Sequence, residues 1–143
     1  MKKIISILLI IITLLSIIGT LSSCGNPDHT HQLTSHKWKR AFDNDDVEII
    51  VEFTPKGDGY SGDYDKTVTD NGKEVAIDEP WDSWTVKNNT KLTLWPVESS
   101  KEYVFAELNE KDLKKNINRA MDNEWYVSDN YLVIGYEIYQ PAD

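Results

Sequence analysis

Apolar and polar residues alternate along most of this chain, and turn-forming clusters interrupt the alternation roughly every 8 to 12 residues. No other feature limits the fold as much. Val47, Ile49, Val51 and Phe53 alternate with Glu48, Glu52 and Thr54, which makes a strand with one dry face, although Ile50 interrupts the pattern. Pro55-Lys56-Gly57-Asp58-Gly59 then supplies a turn, because proline presets φ and glycine takes positive φ without strain. A strand over residues 60–68 follows. Asp70-Asn71-Gly72-Lys73 is a hairpin signal, since Asn-Gly suits the type I′ turn whose twist matches that of strands, and residues 74–78 would return. Residues 84–87 and 91–97 flank Asn88-Asn89-Thr90 as another hairpin, and 103–108 pair after Glu98-Ser99-Ser100. One segment changes period. After Asn109, a capping residue, Leu113, Ile117, Ala120 and Met121 form an apolar stripe opposite Lys114, Lys115, Asn118 and Arg119, which predicts a helix of about three turns. Leu132, Ile134, Tyr136 and Ile138 then alternate with Val133, Gly135 and Glu137 in a final strand. This order predicts a mainly β domain. It reads as an antiparallel up-and-down barrel of about eight strands with one short helix before the last strand, a sandwich being the other arrangement that the spacing permits.

Residues 1–23 do not share the pattern. Met1-Lys2-Lys3 is positive, and residues 4–18 are apolar apart from Ser6, Thr13 and Ser16, which is the grammar of a secretory signal peptide. A retained membrane span is the alternative, because the run approaches the roughly 18 to 20 apolar residues that a span requires. The residues that follow favour cleavage. Leu21-Ser22-Ser23-Cys24 resembles the lipobox of bacterial lipoproteins, in which a branched apolar residue and two small residues precede a cysteine that receives lipid. The resemblance implies a thioether-linked acyl and diacylglycerol lipid, palmitate among its chains, on Cys24, and a stable membrane anchor, since several chains exceed the marginal hold of one. It also implies the outer membrane of the cell envelope, because Gly25 replaces the Asp that often signals inner-membrane retention.

Cys24 is the only cysteine in the chain, so no disulfide is available and the fold must hold by packing. The polar stretch from Gly25 to Leu33, with Pro27 and no apolar period, reads as a flexible tether. The chain thus divides into a signal peptide (1–23), lipidated Cys24 with its tether (24–33) and a barrel domain (34–143).

Charge excludes one class of partner. The 15 Lys and Arg include Lys2 and Lys3, so cleavage leaves 13 basic residues against 24 acidic ones, a net charge of −11. Such a domain repels phosphate backbones and has no basic stripe, which argues against nucleic acid.

Leu33 and Trp38, Val51-Glu52-Phe53-Thr54 before a Gly-rich turn, Trp84-Thr85-Val86 followed by Asn89-Thr90-Lys91-Leu92-Thr93-Leu94, and residues 103–108 together resemble the small lipocalin-like domains of bacterial lipoproteins. This resemblance covers most of residues 33–139 and implies a barrel around a cavity or a filled core. Lipocalins proper carry Gly-x-Trp at the first strand, whereas this chain has His36-Lys37-Trp38, and an eight-stranded barrel can be hollow or filled. On the strand phasing Val51, Phe53, Trp84, Leu92, Leu94, Ile134 and Tyr136 point inward. Phe53, Trp84, Leu94 and Tyr136 are the candidates to touch a small apolar or amphipathic ligand.

Chemistry other than binding has little support in the sequence. No Gly-x-Ser-x-Gly occurs, Cys24 is consumed by lipid, and all three histidines fall at 29, 31 and 36, so neither Ser/His nor Cys/His catalysis is indicated and no catalytic residue is assigned. His29 and His31 lie on the expected tether, which would not fix a metal. Asp43-Asn44-Asp45-Asp46 and Asp63-Tyr64-Asp65 fit no twelve-residue calcium loop, so neither a metal site nor a cofactor is expected. Trp81, Trp84, Trp95, Trp125 and Tyr126 open an alternative: a surface adaptor that binds a glycan or protein partner through aromatic rings outside the sheet.

Overall fold

A computed structural model describes residues 25–142; the expected signal peptide and Cys24 lie outside the described residues. Alternation and turn chemistry together produce ten strands: β1 (Lys37–Arg40), β2 (Val47–Lys56), β3 (Ser61–Asp70), β4 (Lys73–Glu74), β5 (Ser83–Lys87), β6 (Lys91–Trp95), β7 (Lys101–Phe105), β8 (Glu124–Val127), β9 (Leu132–Ile134) and β10 (Glu137–Pro141). Nine close into a ring in the order β1-β2-β3-β5-β6-β7-β8-β9-β10, with β10 returning to β1, while β4 pairs only with β3. The Asn-Gly turn forms as expected. Asp70 pairs with Lys73, and Asn71 and Gly72 between them have φ of 49° and 73°.

The barrel is therefore mixed, with nine strands instead of eight antiparallel ones. A closed ring with an odd number of strands cannot alternate direction throughout, so at least one seam must be parallel. That seam is β7–β8, where Val104 faces Glu124 and Phe105 faces Trp125. Parallel neighbours need a crossover, which residues 106–123 provide. The crossover includes α2 (Glu110–Leu113) and covers the outer face of β8–β10, where Leu113 and Ala120 pack against Tyr126, Tyr131, Val133 and Ile138. These strands are consequently buried on both faces, and Leu132, Val133 and Ile134 are all dry.

Three sequence expectations change here. The three-turn helix is a single turn with three strands after it, because Asn116 takes a φ of 58° and ends the helical path; Ile117 and Met121 are left exposed. The final strand over 132–138 is a hairpin. Ile134 pairs with Glu137, and Gly135, with φ of 56°, forms the two-residue turn with Tyr136. Tyr136 is thus 71% exposed at the hairpin tip and does not point inward.

Every strand of the ring sends apolar side chains inside, and the interior is filled. Trp38, Phe53, Trp84, Trp125 and Tyr139 are its largest fully buried residues.

The third change concerns the expected tether, whose last residues fold as α1 (His29–Thr34), capped by Asp28, which accepts a hydrogen bond from the His31 amide. Leu33 is fully buried in the barrel core, and its carbonyl accepts from Trp38 Nε1 at 2.8 Å. His29 stacks on Phe105 with centroids 3.7 Å apart. Asn89 completes the closure: its Oδ1 accepts from the His29 amide and its Nδ2 donates to the Pro27 carbonyl, both at 2.8 Å. One end of the barrel is sealed by this helix.

Candidate functional site

At the end away from α1 the strands open into a mouth of about 360 Å³. Its walls follow from the same alternation that fills the core. Tyr64 on β3 stands opposite Phe53 in the ladder, Tyr103 on β7 opposite Leu92, and Tyr139 on β10 opposite Leu132, so all three tyrosines take inward positions. Leu94 and Ile134 line the mouth between them. The segment 75–82 runs from β4 back to β5 and brings Glu79 and Trp81 to the lining. It is tied by Lys66 Nζ to Glu79 Oε2 at 2.8 Å, by Trp81 Nε1 donating to the Ser99 carbonyl at 2.8 Å, and by the Tyr64 amide donating to the Asp82 carbonyl at 2.9 Å.

The phenols differ in their partners. Tyr139 donates to Glu137 Oε2. Tyr64 and Tyr103 are 5% and 4% exposed as residues, and their hydroxyls open on the mouth without bonding another of the described residues. Burial, then repulsion from Glu79 and Glu137, pushes the Tyr64 hydroxyl far above the usual phenol range. Burial pushes Tyr103 up to about 12, with Asp122, Glu137 and Glu79 adding to the shift. Tyr139 is raised by burial and by Glu137. All three therefore stay protonated near neutral pH, each able to donate and accept a hydrogen bond.

The charges around the mouth are matched. Lys66 pairs with Glu79, Lys101 with Asp122 at 3.0 Å, and Arg40 with Glu137 at 3.2 Å. The Lys101 ammonium also lies 5.3 Å from the Tyr103 ring centroid. Lys66 and Glu79 are the most enclosed of these pairs, with side chains 17% and 13% exposed.

Of the four candidates from the sequence, Phe53, Trp84 and Leu94 are buried in the core, and only Leu94 also reaches the mouth; Tyr136 stands on its rim. The aromatics that suggested an outer patch lie mostly inside. Trp84 and Trp125 are fully buried, Tyr126 packs under the crossover, Trp81 is partly buried against the core, and Trp95 donates to Thr85. The acidic stretches serve local ion pairs, Asp43 with Arg40 and Asp63 with Lys56. Among the described residues no three His, Cys, Asp or Glu side chains converge as metal ligands.

Sequence reasoning did not single out Tyr64, Tyr103, Tyr139, Lys66 or Glu79. The signal for Tyr64 was present, since it continues the inward register fixed by the Val51 and Phe53 strand across the turn. Larger hollows on the outside, a groove of about 420 Å³ beside residues 34–37 and another of about 580 Å³ near Glu110 and Tyr131, lack such a convergence of buried phenols.

No protein-family model, no curated protein and no solved structure matches this chain.

Proposed function

We propose that the protein is a bacterial lipoprotein, anchored in the outer membrane through lipid on Cys24, whose lipocalin-like barrel binds a small ligand at its open mouth without transforming it. The observation that carries the binding reading is the contrast between a filled barrel interior and an open mouth lined by tyrosines, two of whose hydroxyls bond none of the described residues. A ligand enclosed by the barrel would need space that Trp84, Phe53 and Trp125 already fill. A ligand at the mouth meets hydrogen-bonding groups and aromatic faces instead. The mouth carboxylates each have a cation or phenol partner, which suits recognition better than proton transfer.

The anchor gives this site a direction. Four residues, 25–28, join Cys24 to α1, and the five steps from Cys24 to His29 span roughly 18 Å at most when extended. The sealed end thus lies next to the membrane, and the mouth opens away from it, towards ligands in the aqueous compartment.

Two measurements test the reading. Cys24→Ser is expected to abolish incorporation of labelled palmitate; labelling of that variant overturns the anchor. For the barrel, NMR titration of the full chain with a mixed set of saccharides, amino acids, fatty acids and nucleotides is expected to shift resonances of Tyr64, Tyr103 and Tyr139. Shifts confined to the outer grooves, or absent for every compound, overturn binding at the mouth.

A further inference from the structure

The mouth offers more hydrogen-bonding capacity than the fold uses. Tyr64 and Tyr103 line the mouth with hydroxyls that make no hydrogen bond to another of the described residues and stay open to an occupant. The two residues stand on β3 and β7, three places apart in the ring, and line the same hollow, so one occupant could satisfy both hydroxyls.

The surroundings narrow the chemistry of that occupant. Glu79, Glu137 and Asp122 already balance Lys66, Arg40 and Lys101, so among the described residues at the mouth an anion would face three carboxylates with no idle cation, in a chain whose residues 24–143 carry a net charge of −11. A cation would have to compete with ammonium or guanidinium groups that are already seated. A neutral group that both donates and accepts meets no such penalty, and a phenol is its complement. The rings of Tyr64, Tyr103 and Trp81 add flat apolar faces beside these hydroxyls. A long acyl chain lacks a channel, because Leu94 and Ile134 close the mouth above the packed interior. The volume of about 360 Å³ lies at the small end of the roughly 300 to 1,000 Å³ usual for small-molecule sites.

We propose that the mouth is a saccharide site for a neutral pyranose unit, free or at the end of a glycan. The hydroxyls of Tyr64 and Tyr103 bond the sugar hydroxyls, and Trp81 stacks on the apolar face of the ring. The proposal rests on the reading of the mouth as a binding site and adds the class of ligand.

Calorimetry on the full chain in lauryldimethylamine oxide, a detergent without a sugar headgroup, tests it. The probes are methyl glucopyranoside, methyl galactopyranoside and their neutral disaccharides, against glucuronate, galacturonate and octanoate. At least one neutral sugar is expected to bind tenfold or more tightly than its uronate, and Tyr64→Phe combined with Tyr103→Phe is expected to weaken it at least tenfold at an unchanged melting temperature. Disaccharide binding tighter than that of both methyl glycosides assigns a glycan end; equal binding assigns a free sugar. The sugar assignment is overturned if a uronate or octanoate binds best, and likewise if the double variant binds as the parent does. Binding of an acid that the double variant loses would overturn the sugar while leaving a binding mouth; absence of binding by every probe and every compound in the NMR set overturns both.

Discussion

The two ends of the barrel are built from the same nine strands and do opposite things. At one end Leu33, Trp38, His29 and Phe105 close the bore with rings and an aliphatic side chain, and their polar atoms are satisfied by carbonyls and by Asn89. At the other, the inward positions hold phenols, two of whose hydroxyls bond none of the described residues, within a ring of matched charges. Alternation decides which residues face inward. Whether an end seals or binds is decided by the residue types at the last inward positions, so stability should be concentrated near α1 and recognition at the mouth.

The largest effect should come from the sealed end. Trp38 is fully buried and holds α1 through its bond to the Leu33 carbonyl. Trp38→Ala is expected to cost about 3 to 5 kcal/mol in urea unfolding. A loss below about 1 kcal/mol would mean that the plug contributes little and that the contrast between the ends is wrong.

Gly62 tests the wall beside the plug. It stands opposite Pro55 in the β2–β3 ladder, where a Cβ would come within 1.8 Å of the Thr54 carbonyl oxygen. Backbone would have to move, so Gly62→Ala should cost roughly 2 to 4 kcal/mol, within the range of severe single substitutions. Unchanged unfolding would show that the two strands can separate there at no cost.

Much of this wall was legible in the sequence, and the gaps have physical causes. The strands around Val51, Trp84 and Leu92 announce themselves because one face is dry and the other wet. β8 does not, because the crossover covers its outer face, so Trp125, Tyr126 and Val127 are buried in succession and their alternation disappears. The same burial made Trp125 and Tyr126 look like surplus surface aromatics. α1 is too short to show a period, and Leu33 gains its meaning only from a barrel end distant in sequence. The Ile134–Glu137 hairpin hid inside an apparently continuous strand because Gly135 and Tyr136 happened to continue its alternation. For the site, alternation could place Tyr64 and Tyr103 inside, but not say that both lie at the open end. That depends on the closed ring, which also brings Glu79 to Lys66 through the segment 75–82.

At the mouth the next effect is a response to base. The folded state shifts the ionisation of Tyr64, Tyr103 and Tyr139 to higher pH, so stability is fully present below the ordinary phenol value near 10. It is lost as pH rises towards and through the folded value, about 12 for Tyr103. Unfolding followed by tryptophan fluorescence should therefore become easier between pH 10 and 12, and Tyr64→Phe should move the alkaline midpoint upward. An unmoved midpoint would mean that the Tyr64 phenol is not held in its neutral form.

Lys66 and Glu79 tie the segment 75–82 to β3. Lys66→Met should cost about 1 to 2 kcal/mol, below the 3 to 5 of a fully buried pair because both groups retain some water. Amide exchange should accelerate in residues 75–82 and stay unchanged in α1. Equal acceleration at both ends would show that they are not independent.

The smallest effect is the most telling for function. Tyr103→Phe removes a hydroxyl that faces the mouth and bonds none of the described residues, so no hydrogen bond among them is lost, while the ring keeps its contacts with the core. Stability at pH 7 should stay within about 0.5 kcal/mol of the parent, because the usual penalty for deleting a tyrosine hydroxyl comes from the partner left behind. At the sealed end, changing Asn89 to Ala removes a group that bonds both the His29 amide and the Pro27 carbonyl, and should cost about 1 to 2 kcal/mol. Urea unfolding of the two variants side by side reads the difference between the ends directly. If Tyr103→Phe proves as costly as Asn89→Ala, its hydroxyl serves the fold, and the mouth loses the feature that marks it as a binding site.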